Sequence, residues 1–217
     1  PLPPWRPSLL PQRLQLPQDW FGSQIALAVS TEHDAGNAPA PGEVEVRHGD
    51  QDGAREEVLP AVVVLDMLRS AHNTGNIFRL VDAVNAEAIY ACGYTPCPPH
   101  DKLAKTARGC DETVRCRHFD EITDALRELK ENGYTIYAVD TVVDAQCYWD
   151  AKLRFPAALI FGNEALGVSE EALKLCDGYI QLPACGRKNS INVGNCAGVV
   201  LFETLRQYRM QTNKNNS

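Results

Sequence analysis

From Pro60 onward the chain alternates short apolar runs with amphipathic ones, and this alternation restricts the fold more than any other feature of the sequence. AVVVLDML (61–68) is apolar and rich in β-branched residues, the pattern of a strand buried on both faces. TGNIFRLVDAVNA follows, with Ile77, Phe78, Val81 and Val84 at helical spacing. EAIYACG (87–93) reads as a strand, DEITDALRELKENG (120–133) as a helix closed by Gly133, and YTIYAVD (134–140) as a strand. FPAALIFG (155–162) is a further strand, SEEALKLC (169–176) a helix with Ser169 as N-cap, and GYIQLP (178–183) a strand. INVGNCAGVVLFETLRQYRM (191–210) reads as a long last helix. Strands separated by helices predict an α/β domain, a parallel sheet with helices on both faces.

The first 60 residues have a different texture. They hold nine of the 14 prolines and show no sustained periodicity, so residues 1–57 are expected to form a partly disordered extension, with a short ordered piece at 24–30, ahead of a domain at 58–217. The chain opens on Pro1 rather than methionine, which suggests that the native terminus lies elsewhere. Four basic and nine acidic residues fall in this stretch, leaving 17 basic and 19 acidic in the other 157. The net charge of −7 therefore sits mostly in the extension, and the domain is close enough to neutral to bind a polyanion. No apolar run is long enough to cross a bilayer, and the prolines interrupt any signal-peptide segment. Eight cysteines without a C-x-x-C pair fit neither a zinc ribbon nor a disulfide scaffold. They suit a reducing compartment, the cytoplasm or an organelle matrix. The five histidines have no metal-ligand spacing, so no metal is expected.

A parallel sheet binds its ligand beyond the carboxyl ends of its strands, so the loops after residues 65, 161 and 182 should carry the chemistry. The first reads LRSAHNTGNIFR (68–79), with Asn73, Gly75 and Arg79. The second, FGNEALGVS (161–169), places Gly162, Asn163 and Glu164 at a strand end. The third, LPACGRKNSINVGN (182–195), gathers Gly186, Arg187, Lys188, Asn189, Ser190 and Asn192 before the last helix. Singly, these residues could be caps, turns and solvated charges. Their coincidence at three strand ends is not explained that way. G-x-G-x-x-G, P-loop, G-x-S-x-G and H-E-x-x-H patterns are all absent.

N-x-G-x-x-x-R at 73–79, F-G-N-E-A-L-G at 161–167 and L-P-x-C-G-x-x-x-S-I-N-V at 182–193 resemble, in order and spacing, the three signature motifs of the SpoU/TrmH family of RNA 2′-O-ribose methyltransferases, within the SPOUT class. The likeness covers residues 58 to 210. It implies an α/β fold whose C-terminal segment forms a deep trefoil knot holding S-adenosylmethionine, and the small residues Gly194, Ala197 and Gly198 suit close packing there. Carried over by motif, the cofactor contacts fall on Gly162, Leu182 and Ile191 and the catalytic set on Asn73, Arg79, Glu164, Ser190 and Asn192. The resemblance also implies a homodimer acting on tRNA or rRNA, with Arg79 and its neighbours facing the target ribose.

Methyl transfer to a 2′-hydroxyl needs in-line approach, loss of the hydroxyl proton and a fixed neighbouring phosphate. An arginine fork suits that phosphate and the developing alkoxide, while a guanidinium that stays protonated is a poor base. Asn73, Ser190 and Asn192 would orient the arginine and ribose, and Glu164 would organise the motifs by accepting hydrogen bonds. RNA contacts are expected from Lys102, Lys105, Arg108, Arg115 and Arg117 in the segment 101–118, joined by Arg187 and Lys188. The acidic extension is assigned no RNA contact. The alternatives are a catalytically silent RNA-binding member of the fold and a small-molecule enzyme of another class. Retention of every motif position speaks against the first.

Overall fold

A computed structural model describes residues 57–215. The 1–57 extension, apart from Glu57, and its piece at 24–30 lie outside the described residues. Seven strands form one sheet: β1 (Leu59–Asp66), β2 (Ala86–Cys92), β3 (Cys116–Phe119), β4 (Thr135–Val139), β5 (Gln146–Cys147), β6 (Ala157–Phe161) and β7 (Gly178–Gln181). Their order is β3-β2-β1-β6-β4-β7-β5, and every pairing is parallel. The helices are α1 (Ala71–Ala83), α2 (Asp101–Ala107), α3 (Cys110–Thr113), α4 (Ile122–Glu131), α5 (Glu170–Leu173) and α6 (Val193–Asn215).

The side-chain alternation of β1 divides the core in two. Ala61, Val63 and Leu65 pack with α1, α2 and α6 on one face, where Phe78, Leu103, Ala197 and Leu201 are fully buried. Val62 and Val64 point to the other face and meet Ile122, Leu126 and Leu129 of α4 with Ala172 of α5. Burial on both faces is why β1 up to Leu65 and all of β6 are apolar without a break. Burial also raises the thiols of Cys92, Cys116 and Cys176 to about 12, so these cysteines serve as small packing groups. Among the described residues no helix is long and apolar enough to cross a membrane.

The expected strands and helices at 61–68, 87–93, 120–133, 134–140 and 155–162 all form, each shorter or shifted by one or two residues at its ends. Gly133 closes α4 at a φ of 81°, with its N–H bonded to the Lys130 carbonyl. Two helices differ more. α5 stops at Leu173 instead of 176, because Asp177 bonds to both the N–H and the carbonyl of Ile136 and pairs with Lys130, drawing the chain into β7. Ser169 stands at the N-cap position of α5, but its hydroxyl makes no capping bond. α6 starts at Val193 instead of 191 because the Asn192 side chain caps it, accepting from the N–H groups of Gly194 at 2.9 Å and Asn195 at 3.3 Å. The small-residue face does permit close approach: a Cβ on Gly194 would lie 2.7 Å from the Asn76 side chain of α1.

The contact of α1 with α2 is equally tight. A Cβ on Gly75 would stand 2.0 Å from the Thr106 hydroxyl and 2.9 Å from the Ala107 amide nitrogen, and that hydroxyl already donates to the Ala71 carbonyl at 3.1 Å. Gly75→Ala is therefore expected to push α2 off α1 and lower stability by about 1–3 kcal/mol. Urea unfolding of the variant checks this; an unchanged midpoint would mean that the helices part without cost.

Candidate active site

Strand order reverses beside β1, and at such a point a parallel sheet opens a crevice past its carboxyl ends. A cavity of about 580 Å³ lies to one side of that point, past the ends of β6, β4 and β7 and against the entry to α6. Gly162, Glu164, Leu182, Ser190, Ile191 and Asn192 all line it. That volume suits a nucleotide-sized ligand. Leu166 and Ile191, 85% and 53% exposed, offer uncovered apolar surface at the same place, as a flat aromatic base would require. The residues thus fit S-adenosylmethionine.

The loop 162–168 keeps this shape by folding onto itself. Asn163 and Gly167 exchange both backbone hydrogen bonds at 2.9 Å, so a Cβ on Gly162 would stand 2.2 Å from the Gly167 carbonyl carbon. The Asn163 side chain, 6% exposed, donates to the Met67 carbonyl at 2.7 Å and Tyr94 hydroxyl at 2.9 Å, and accepts from the N–H groups of Ala165 and Leu166. Two carboxylates brace the far side of the loop: Asp140 accepts from Val168 N–H and Asp66 from Ser169 N–H, at 2.7 and 2.8 Å. Sequence reasoning singled out neither acid. The loop after β4 was its blind spot, although Asp140 follows a strand end there as plainly as the motif residues do elsewhere.

Three segments distant in sequence are tied by one chain of side-chain hydrogen bonds. Asn192 donates to the Asn73 side-chain oxygen at 3.1 Å, and Asn73 donates to Glu164 at 2.9 Å. The Glu164 carboxylate also accepts the N–H groups of Arg69 and Ser70, at 3.0 and 3.1 Å. Ser70, rather than Asn73, caps α1, accepting the Asn73 N–H. Burial works against ionisation of Glu164, but the Arg69 N–H, the Asn73 amide, its own backbone N–H and the Ser70 N–H together outweigh it and hold its pKa below the ordinary value.

The remaining expected residues are distributed unevenly. Ser190 is exposed at the cavity, and Arg187 and Lys188 are exposed in the loop leading to it. Arg79 is exposed on α1 but does not line the cavity; six residues past Asn73, it lies roughly 9 Å further along the helix and off the Asn73 face. Its charge acts on the Cys110 thiol of α3. Lys102 and Lys105 lie on α2 beside the start of α1, whereas Arg108 ends that helix and Arg115 precedes β3, at the opposite end of the strand from the cavity. Arg117 is turned away from the other residues of the expected RNA-binding set. It stacks over Tyr90 and Phe119, 5.1 and 4.8 Å from the ring centres, and pairs with Glu128 of α4 on the other face of the sheet. Strand alternation in β3 sends its side chain that way.

A doubly wound parallel sheet with an organised polar cluster at its switch point and a nucleotide-sized cavity beside it defines a cofactor-binding α/β enzyme. Residues 60–202 match the model of the SpoU rRNA methylase family, and the chain belongs to that family. It is 38% identical over 157 residues, 70% of this chain and 80% of the other, to the tRNA (guanosine(18)-2′-O)-methyltransferase of Thermus thermophilus. The 23S rRNA (guanosine-2′-O-)-methyltransferase RlmB of Ralstonia nicotianae is 33% identical over 68% of this chain, which spans 59% of that enzyme's length. Among solved structures, the TrmH/SpoU tRNA modifying enzyme of A. aeolicus aligns with a TM-score of 0.65 at 26% identity, covering 71% of this chain and 78% of that one. AviRb from Streptomyces viridochromogenes, solved with AdoMet, aligns at 0.62 and 26% identity, covering 76% and 63%.

Because its pKa lies below the ordinary 4.5, Glu164 contributes stability that is present above pH 4.5 and lost as pH falls through the folded value. Glu164→Gln keeps one acceptor but turns an amide donor toward the Arg69 or Ser70 N–H. The stability gap between wild type and this variant should be open at pH 7 and close below pH 4.5. Urea titrations across pH 3–7 measure it; a gap independent of pH would remove the charge from the account.

Proposed function

We propose that the protein transfers a methyl group from S-adenosylmethionine to the ribose 2′-hydroxyl of a tRNA or rRNA nucleotide. Membership of the SpoU family fixes the enzyme class as an S-adenosylmethionine-dependent RNA methyltransferase. The observation that carries the reading is the Asn192–Asn73–Glu164 chain at the mouth of a cofactor-sized cavity. When bound, S-adenosylmethionine supplies a methyl on a positively charged sulfur. Backbone groups of Gly162, Leu182 and Ile191 hold its adenine and ribose; the closed 162–168 loop keeps the Gly162 backbone in place before binding, and the Asn192 cap fixes the start of α6 just after Ile191. Ser190 and Asn192, at the cavity, orient the target ribose. Glu164 fixes Asn73 instead of taking the hydroxyl proton, since its oxygens are already committed to three donors.

Arg79 enters the reaction as the group that holds the neighbouring phosphate and stabilises the developing alkoxide. Its place outside the cavity of its own chain supports a homodimer, in which α1 of one copy serves the site of the other. The exposed apolar residues Val199 and Phe202 on α6, the helix packed on α1, also support such an interface. We read the C-terminal segment as a deep trefoil knot; the support is α6 returning from β7 to lie against α1, with Gly194 at the close approach. Lys102, Lys105, Arg187 and Lys188 supply the nearest RNA contacts, and the enzyme works beside its RNA in the cytoplasm or an organelle matrix.

S-adenosylmethionine at a hundred times its Kd should stabilise the folded protein by about 2.7 kcal/mol, read as a rise in Tm. No shift at saturation would end the assignment. Arg79→Ala should keep the fold and this shift while lowering methyl transfer about a hundredfold or more. If the variant unfolds, Arg79 is structural and leaves the site.

A further inference from the structure

A second cavity, of about 520 Å³, opens beside the first and holds Arg69, His72, His100, Lys102, Lys105 and Thr106 on its walls. Three of these side chains are cations, supplied by two different elements. Lys102 and Lys105 lie three residues apart on one face of α2, whose opposite face buries Leu103 and Ala107 against the core. Arg69 and His72 come from the entry to α1, where the positive end of a helix dipole adds to the field.

His100 contributes in a different way. It is the N-cap of α2, and its Nδ1 accepts the Leu103 N–H at 3.2 Å. An accepting Nδ1 carries no proton, so the ring's proton is on Nε2, and capping fixes one neutral donor among the three cations. The Thr106 hydroxyl, in contrast, has its single proton directed at carbonyls, those of Ala71, Lys102 and Leu103 lying 3.1, 3.3 and 3.0 Å away. Two acids are near. Asp101 is exposed beside Lys102, and Glu164 on the far side of residues 69–71 is already covered by three donors. The balance of the cavity is positive and rich in donors.

The wall between the cavities has a consequence. The backbone of Arg69 and Ser70 holds the Glu164 carboxylate on one side, while Arg69, Ser70 and Ala71 line the second cavity on the other. A ligand held here is one segment away from the polar chain that faces the reacting ribose. We infer that this cavity is a seat for one backbone phosphate of the RNA, next to the target nucleotide, with Lys102, Lys105 and Arg69 neutralising it and His100 donating to it. It rests on the methyltransferase reading, and it adds a device that sets which nucleotide reaches the methyl group. Phosphate contacts of this kind fix register without reading sequence.

The test uses the full chain with an unmodified tRNA transcript or a 23S rRNA fragment, whichever the wild type methylates, and measures RNA affinity against salt. Lys102→Ala/Lys105→Ala should lower the slope of log affinity against log salt by about 0.7 to 0.9, the loss of one phosphate. Arg127→Ala, on α4 at the other face of the sheet, should leave the slope unchanged. His100→Asn, which keeps a capping side chain but not the Nε2–H, should weaken binding with the slope intact, because no charge is lost. The thermal shift with S-adenosylmethionine should be wild-type in all three. A double variant that is folded, binds cofactor and keeps the wild-type slope overturns the phosphate seat alone. A wild type that binds and methylates neither RNA overturns the methyltransferase reading, and this one with it.

Discussion

The hydrogen bond from Asn73 to Glu164 is the interaction on which the site depends, because everything on either side of it is forced. The Asn192 side-chain oxygen is committed to the first N–H groups of α6, so its amide must donate, and the group it meets is the Asn73 oxygen. That leaves the Asn73 amide to donate in turn, and an ionised carboxylate, an acceptor at both oxygens, takes it together with two backbone N–H groups. The orientation of two asparagines and the charge of one glutamate are thereby set by a helix cap 28 residues further along the chain than the glutamate. Three segments that share no local contact become one rigid rim.

The sheet makes that rim possible. Its order places β6 beside β1, so the loop after Phe161 meets the loop after Asp66, and Asp66 itself reaches across to the Ser169 N–H. Asp140, at the end of β4, does the same from the other flank. Each anchor is a carboxylate at a strand end accepting from backbone, an arrangement that orders a loop without side-chain entropy in the loop itself. The result is a β6 wall of the cavity shaped before a ligand arrives, which is what in-line transfer demands of a scaffold.

Much of this was legible in the sequence for identifiable reasons. β1 and β6 are apolar on both faces and α4 is strongly amphipathic, so periodicity located them. β3 and β5 were not found, since four and two residues at the sheet edges carry too little pattern to distinguish them from loop. The three motif loops were located as strand ends, and Asn73, Asn163, Glu164, Asn189, Ser190 and Asn192 do converge, whereas Arg187 and Lys188 stay in the loop leading there and Arg79 lies apart. Its face of α1 is decided by helical phase relative to neighbours, which spacing alone does not supply. Arg117 shows the same limit: composition grouped it with nearby cations, while the alternation of β3 turned it toward Tyr90 and Glu128. The roles of Arg69 and His100 were invisible because α2 had to be folded against the start of α1 before they could share a cavity.

The position of the transferred methyl tests the account most directly. RNA incubated with the protein and labelled S-adenosylmethionine is digested with alkali, which cleaves beside free 2′-hydroxyls and spares a methylated ribose. The account predicts label in an alkali-resistant dinucleotide from tRNA or rRNA. Label on a base, or no label from a protein that binds both cofactor and RNA, would contradict it.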